Sequence, residues 1–315
     1  MSLRRLVSFW PIYLLIGLPF FFLGGPGYHS ARSFVSLWNL GHILYFALFT
    51  LWLHSLPLLH RPKIRALHRV AILFILPFLV GFGIECLQFL ANGRAPSSAD
   101  MAHNQLGVLI ALLFLRRSQY AGLHPLVLIL LRGMVLLLLL IALQPLFSAL
   151  WDEYQAQRQF PLLADFESPH ELSRWMYPGQ LQEETQIVRH GRKAARVQLS
   201  TAKYSGIALF HFPKDWQGYH WLRFSVYNPL PIPLELNARI HDSTHRQYNS
   251  RYEDRFNTQF QLQPGWNDLA ISLQEVAAAP RGRAMDMANI QGFGLFVVAQ
   301  KKAIALFLDH VYLEK

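Results

Sequence analysis

Glu85 and Asp100 are the only acidic residues before Asp152, and both fall in apolar runs of membrane-spanning character. A carboxylate in such a helix costs about 2.5–3.5 kcal/mol on insertion scales, so it persists by pairing or by function. Gly81, Glu85 and Gln88 recur at i, i+4 and i+7, which puts them on one side of a helix; Asp100, Asn104, Gly107 and Ala111 do the same in the next run. A narrow polar and small-residue stripe of this kind faces a bundle interior rather than lipid. His42 and Tyr45 in an earlier run, and Arg94 between the two stripes, complete a set with two chemistries open to it. Glu85 or Asp100 could serve as general base, His42 as acid or base, and Arg94 as the contact to a phosphate. The same groups could instead bond to one another and lock three helices together.

Five apolar stretches are long enough to hold these residues in a membrane: 6–23, 35–58, 70–90, 98–115 and 134–150. Arg4, Arg5, Arg61, Lys63, Arg65, Arg69, Arg116, Arg117 and Arg132 fall on one side of this pattern, and Arg32 and Arg94 on the other. The positive-inside rule makes the larger set cytoplasmic, so five spans leave the C-terminal part outside, in the periplasm of a cell with two membranes. The formal charge of +10 on 315 residues belongs almost wholly to this half, where eleven basic residues face two acidic ones. That distribution argues for membrane topology and against a nucleic-acid partner. The single cysteine, Cys86, excludes an intramolecular disulfide.

The pattern Glu85-x2-Gln88-x5-Arg94, then Ser97 and Ser98, then Asp100-x3-Asn104-x2-Gly107, resembles the signature of the VanZ-like membrane proteins. The resemblance covers roughly residues 1–120. An earlier helix of that family carries an Asp-Lys pair before a His and an aromatic residue; here His42, Tyr45 and Phe46 fit, while Trp38 and Asn39 stand where the charged pair is expected. It implies a bacterial inner-membrane protein in contact with lipid, acting in cell-envelope glycan handling or glycopeptide-type antibiotic resistance, without established catalysis. An enzyme acting on a lipid-linked sugar or polyprenyl phosphate is the alternative.

Residues 151–161, WDEYQAQRQFP, are polar and are expected to form a short helix or linker between a membrane domain at 1–150 and a second domain at 162–315. Beyond them short alternating runs recur every eight to twelve residues, with turn signals such as Pro264-Gly265-Trp266. Strands are expected at 186–190, 194–200, 206–212, 219–227, 233–241, 256–263, 267–272, 292–298 and 304–313. The expected architecture is therefore a membrane all-α bundle of five transmembrane helices followed by an all-β jelly-roll sandwich. The opening Asp165-Phe166-Glu167, the central WLRFSVYN, the PGWNDLAISL segment and the closing LFLDHVYL resemble the galactose-binding-like sandwich of many carbohydrate-binding modules.

Strand alternation leaves Trp221, Arg223 and Tyr227 on the face opposite Leu222, Phe224 and Val226, and Glu235, Asn237, Arg239 and His241 opposite Leu234, Leu236, Ala238 and Ile240. Arg255, Asn257, Gln259 and Gln261 extend that polar set. Flat rings stack on sugar C–H faces while amides and guanidinium groups pair hydroxyls, so such a face suits an envelope polysaccharide or lipid-linked glycan. It could equally be a solvated face with ion pairs such as Arg223 with Glu235. The sandwich resemblance implies a structural Ca²⁺ at Asp165, Glu167 and Asp309, whose hard oxygens suit that ion. Zinc spacings, a Gly-rich phosphate loop and a G-x-S-x-G elbow are missing from the sequence.

Overall fold

The computed structural model describes residues 10–23, 25–27, 29–61, 64–92, 96–115, 124–176, 180–248 and 250–315. The chain divides into two compact units, Met1–Ala149 and Leu150–Lys315.

The first unit is helical: α1 (Trp10–Gly17), α2 (Arg32–Ser55), α3 (Ala66–Asn92), α4 (Ser98–Ile110) and the start of α5 (Pro125–Gln159). α2, α5 and residues 66–90 of α3 are long and apolar enough to cross a membrane. α1 is shorter, and α4 runs on through a π-helical turn over Ala111–Leu115. The π turn leaves a carbonyl available, and Arg132 Nε of α5 donates to the Leu113 oxygen at 3.0 Å.

Small residues set the helix packing. A Cβ on Gly107 would fall 2.3 Å from the Ile43 carbonyl, so the backbones of α2 and α4 touch only because none is present. One on Gly81 would meet the Asn104 amide at 2.6 Å. Gly107 thus lets two helix backbones meet, and Gly81 leaves room for the Asn104 side chain.

The second unit is an antiparallel β-sandwich. One sheet follows the order β3 (Leu181–Glu184), β4 (Ala194–Leu199), β11 (Ile304–Glu314), β6 (Trp221–Asn228), β9 (Gly265–Ser272), with β1 (Leu162–Ala164) also on β11. The other is β2 (Trp175–Met176), β5 (Tyr204–Leu209), β10 (Ile290–Val298), β7 (Leu234–Asp242), β8 (Phe256–Leu262). The inward residues of both sheets make one core, in which Phe224 of β6 meets Phe293 of β10 edge-on at 5.2 Å. Burying rings of this size is the main favourable contribution to joining the sheets. A six-residue helix, α6 (Leu273–Ala278), follows β9 and is capped by Ser272, whose hydroxyl accepts from Glu275 N–H.

Two expectations change. The strand expected at 186–190 lies instead at Leu181–Glu184, because residues 186–190 bend outward and give the Arg189 and His190 amides to Asp309 Oδ2 at 2.7 and 2.8 Å. Residues 151–159 are the last turns of α5 rather than a separate element. Asp152 in those turns receives Arg174 through Nε and Nη2, at 2.8–3.1 Å, with both side chains 1% exposed.

Candidate functional site

In the helical unit the polar residues are tied in separate pairs. His42 Nδ1 lies 2.9 Å from Asn104 Oδ1, which requires the proton on Nδ1 and joins α2 to α4. Glu85 Oε2 accepts the Ser97 backbone N–H at 2.8 Å, and Ser97 Oγ accepts that of Asp100 at 3.2 Å. Ser97 is the N-cap of α4, so a carboxylate from α3 fixes the point where α4 begins. Gln88 Nε2 donates to the Phe21 carbonyl at 2.6 Å, and Phe21 meets both His42 and Tyr45 edge-on at 4.8 Å. His42, Glu85, Gln88, Asp100 and Asn104 are all buried. Arg94 lies outside the described residues. An apolar groove of about 460 Å³, walled by Phe20, Trp38, His42 and Tyr45, opens beside this set, and neither Glu85 nor Asp100 lines it. The structure therefore brings His42 to Asn104, and Glu85 and Asp100 together through Ser97 at the start of α4, while neither carboxylate lines the apolar groove.

In the sandwich the expected sugar-facing set divides. Trp221, Arg223 and Tyr227 belong to β6, while Glu235, Asn237, Arg239 and His241 belong to β7 in the other sheet. Residues 229–233 carry the chain across the sandwich instead of turning a hairpin, so the two sets lie on opposite outer faces. Arg223 correspondingly pairs with Glu314 of neighbouring β11, not with Glu235.

The outer face of the β6 sheet satisfies its own polar groups. Asp268 takes Ser225 Oγ at 2.7 Å and Arg189 Nη2 at 2.6 Å, which holds its carboxyl below the usual range, Arg189 first and Ser225 second. Arg223 also lies over the Trp221 ring, and Tyr227 packs between Trp266 and Phe307.

The outer face of the β7 sheet is hollow. Gly206, Gly292 and Gly294 stand on β5 and β10 beside the long side chains of β7 and β8. A Cβ on Gly206 would fall 2.1 Å from the Leu295 carbonyl, and one on Gly294 would fall 2.9 Å from Arg239 Nε, so Arg239 lies across the strand in space that glycine leaves. The result is a cleft of about 930 Å³ whose polar lining includes Gln180, Asn237, Arg239, Arg255, Asn257 and Gln259. Tyr204 and Tyr252 flank it, 64% and 65% exposed, and Phe296 meets Tyr204 edge-on at 6.1 Å. Rings exposed in this way beside convergent polar groups are free to stack on a ligand.

Hydrogen bonds arrange the cleft side chains. Gln259 Nε2 donates to Asn237 Oδ1 at 3.1 Å, Arg255 Nε to Asn257 Oδ1 at 2.9 Å, and Asn257 Nδ2 to the Tyr252 carbonyl at 3.0 Å. The segment bearing Tyr252 and Arg255 is anchored by Arg283, which reaches Asp254 Oδ1 at 2.7 Å and Asp242 Oδ1 at 2.9 Å. Those bonds, Asp254 first and Asp242 next, push the guanidinium well above its usual value. Of the residues expected on this face, Asn237, Arg239, Arg255, Asn257 and Gln259 line the cleft, and Gln261 does not. Glu235 and His241 do not; the His241 ring lies over Gly292, within 2.6 Å of where a Cβ would stand, and is buried. Tyr204, Tyr252 and Phe296 were not legible as ligands. Tyr204 and Tyr252 are marked only by their aromatic character in polar or small-residue stretches, and Phe296, within the apolar run Gly294–Val298, carries no such mark.

The three carboxylates expected to hold calcium act as acceptors for backbone amides. Glu167 Oε1 takes Lys193 N–H at 2.9 Å, Asp165 Oδ1 takes Glu167 N–H at 3.3 Å, and Asp309 Oδ2 takes the two amides given above. Asp309 Oδ1 is buried without a partner, and burial raises this carboxyl above its ordinary range. No group of three or more His, Cys, Asp or Glu side chains suited to a metal occurs among the described residues.

A helical unit with helices of membrane-spanning length, joined to a β-sandwich with one open polar and aromatic face, is the class these observations define. No protein-family model matches the sequence, and no curated protein is similar to it. Solved structures similar to the sandwich include a family 11 carbohydrate-binding module from Clostridium thermocellum in complex with a β-1,3-1,4-mixed-linked tetrasaccharide. It is 17% identical, with 49% of this chain and 94% of that chain covered and a TM-score of 0.34. A non-crystalline-cellulose-specific module, CBM28, is 12% identical over 50% of this chain and 93% of that one, at 0.36. An exo-β-agarase is 14% identical over 49% of this chain and 24% of that one, at 0.39. Likeness at this level does not assign a ligand.

Proposed function

We propose that the chain is an integral membrane protein that presents a glycan-binding β-sandwich outside the membrane, with the β7 sheet's outer face as the binding site. The observation that carries it is the cleft itself: two exposed tyrosines beside convergent amide and guanidinium groups, over a floor cleared by glycines. Rings provide stacking for sugar faces and the amides provide paired donors and acceptors, while the opposite face has already spent its polar groups on one another. The basic bias of the first half supports an external C-terminus in a bacterial envelope.

Titration of the full chain in detergent against peptidoglycan fragments, lipopolysaccharide sugars and exopolysaccharides tests the main reading. Saturable binding to at least one is expected, and absence of binding to all contradicts it.

A second reading, a membrane enzyme acting on a lipid-linked sugar or polyprenyl phosphate, is favoured by one observation: His42 stands on the wall of the apolar groove. Glu85→Gln keeps an oxygen for the Ser97 amide. Lost activity in cells at normal abundance supports the enzyme, whereas lowered abundance alone makes Glu85 a structural lock.

A further inference from the structure

The cleft on the β7 sheet holds an imbalance of charge. Its lining contains two guanidinium groups, Arg239 and Arg255, and no carboxylate. Arg189, Arg223 and Arg283 elsewhere on the sandwich each hold an Asp or Glu side chain. Among the described residues, Arg255 donates to the amide oxygen of Asn257 at 2.9 Å and lies over the ring of Tyr252 at 5.4 Å, and Arg239 lies along Gly294. The two cations are close enough to feel each other: burial first, then the charge of Arg239, lowers the affinity of Arg255 for its proton. Glu235, the acid on the same face of β7 as Arg239, is turned to Gln259 and Asn237 at 3.4 and 3.5 Å and stands outside the lining, and Asp242 at the strand's end is held by Arg283. Keeping two like charges half-buried without a counter-ion is unfavourable in the free protein and becomes favourable when an anion arrives.

We infer that the cleft selects an acidic polysaccharide, with Arg239 and Arg255 together receiving a carboxylate or sulfate group while Tyr204 and Tyr252 stack on the flanking sugar rings. The inference rests on the glycan-binding reading and adds the ligand's charge. Planar guanidinium groups suit both anions, since each offers paired oxygens to a two-pronged donor. Asn237, Asn257 and Gln259, with no charge of their own, remain for hydroxyls.

The test is calorimetric titration of the full chain in detergent against acidic polysaccharides, each beside its own neutralised form. Polygalacturonate is paired with its methyl ester, hyaluronate with its carboxyl-reduced form and a sulfated galactan with its desulfated form; cellulose oligosaccharides and mixed-linked glucan serve as neutral probes. At least one acidic member should bind about ten-fold more tightly than its partner, the size expected for one hydrogen-bonded charge pair. The carboxylated and sulfated arms decide which anion is taken. Arg239→Gln with Arg255→Gln should bring the acidic-to-neutral ratio close to one, and added salt should narrow it in the wild type. Equal binding of charged and neutralised forms, with Tyr252→Ala weakening both, overturns the acidic selection and leaves the glycan cleft standing. No binding by any member overturns both.

Discussion

Asp152 and Arg174 meet in the interior of the sandwich unit with both side chains 1% exposed, and Arg174 Nη1 also reaches the Leu163 carbonyl at 2.9 Å. The last turns of α5 are thereby tied to the start of the β-structure at β1 and β2. Removing one partner of such a pair leaves the other charge buried, which costs about 3–5 kcal/mol, whereas replacing both with apolar groups is far less damaging. Arg174→Met should lower the melting temperature of the full chain in detergent sharply, and Asp152→Leu with Arg174→Met should recover most of the loss. Equal melting of the single and double variants would show that the pair is not what matters there.

Gly107 and Gly83 make a matched comparison in the helical unit. Alanine at Gly107 would force its Cβ into the Ile43 carbonyl at 2.3 Å, while alanine at Gly83 meets nothing within 4 Å. Separating α2 from α4 also lengthens the His42–Asn104 bond. Gly107→Ala should lower thermal stability in detergent by about 1–3 kcal/mol, as overpacking does, and Gly83→Ala should be neutral or slightly stabilising.

Much of the fold could be read from the sequence because its signals are local. Leu222, Phe224 and Val226 alternate as a half-buried strand must, and the Gly81–Glu85–Gln88 stripe turns inward as helical spacing requires. Sheet membership was not legible. Both sheets of a sandwich turn an apolar face inward, so alternation in β6 and β7 separates inside from outside but cannot say which outside. Trp221 and Arg239 were accordingly expected to share a face and stand on opposite ones. The cleft was hidden for a related reason: it depends on an absent side chain at Gly206 as well as on present ones, and on Arg239 lying in the space left by Gly294.

Lys214 provides a pH signature for the sandwich. Its Nζ donates to the Phe210 and Gln291 carbonyls and lies over the Phe212 ring at 4.1 Å, and burial pushes its ammonium down to about 7. Between that value and the ordinary lysine range the unfolded chain binds a proton that the folded chain does not, so this group adds stability as pH rises from about 7 to about 10. The melting temperature of wild type relative to Lys214→Met should therefore increase over that interval. A difference independent of pH would place the Lys214 proton at an ordinary affinity.

The binding face decides the account, and a comparison of two aromatic sets measures it. Tyr204→Ala and Tyr252→Ala remove exposed rings from the β7 sheet's cleft, whereas Trp221→Ala removes one from the opposite face. Each loss of a stacking ring should cost about 1 kcal/mol or more in binding. With the full chain in detergent titrated against whichever glycan binds it, affinity should fall at least several-fold for Tyr204→Ala and Tyr252→Ala and stay at the wild-type value for Trp221→Ala. Loss of affinity with Trp221→Ala and retention with both tyrosine variants would contradict the assignment and move the site to the six-stranded sheet.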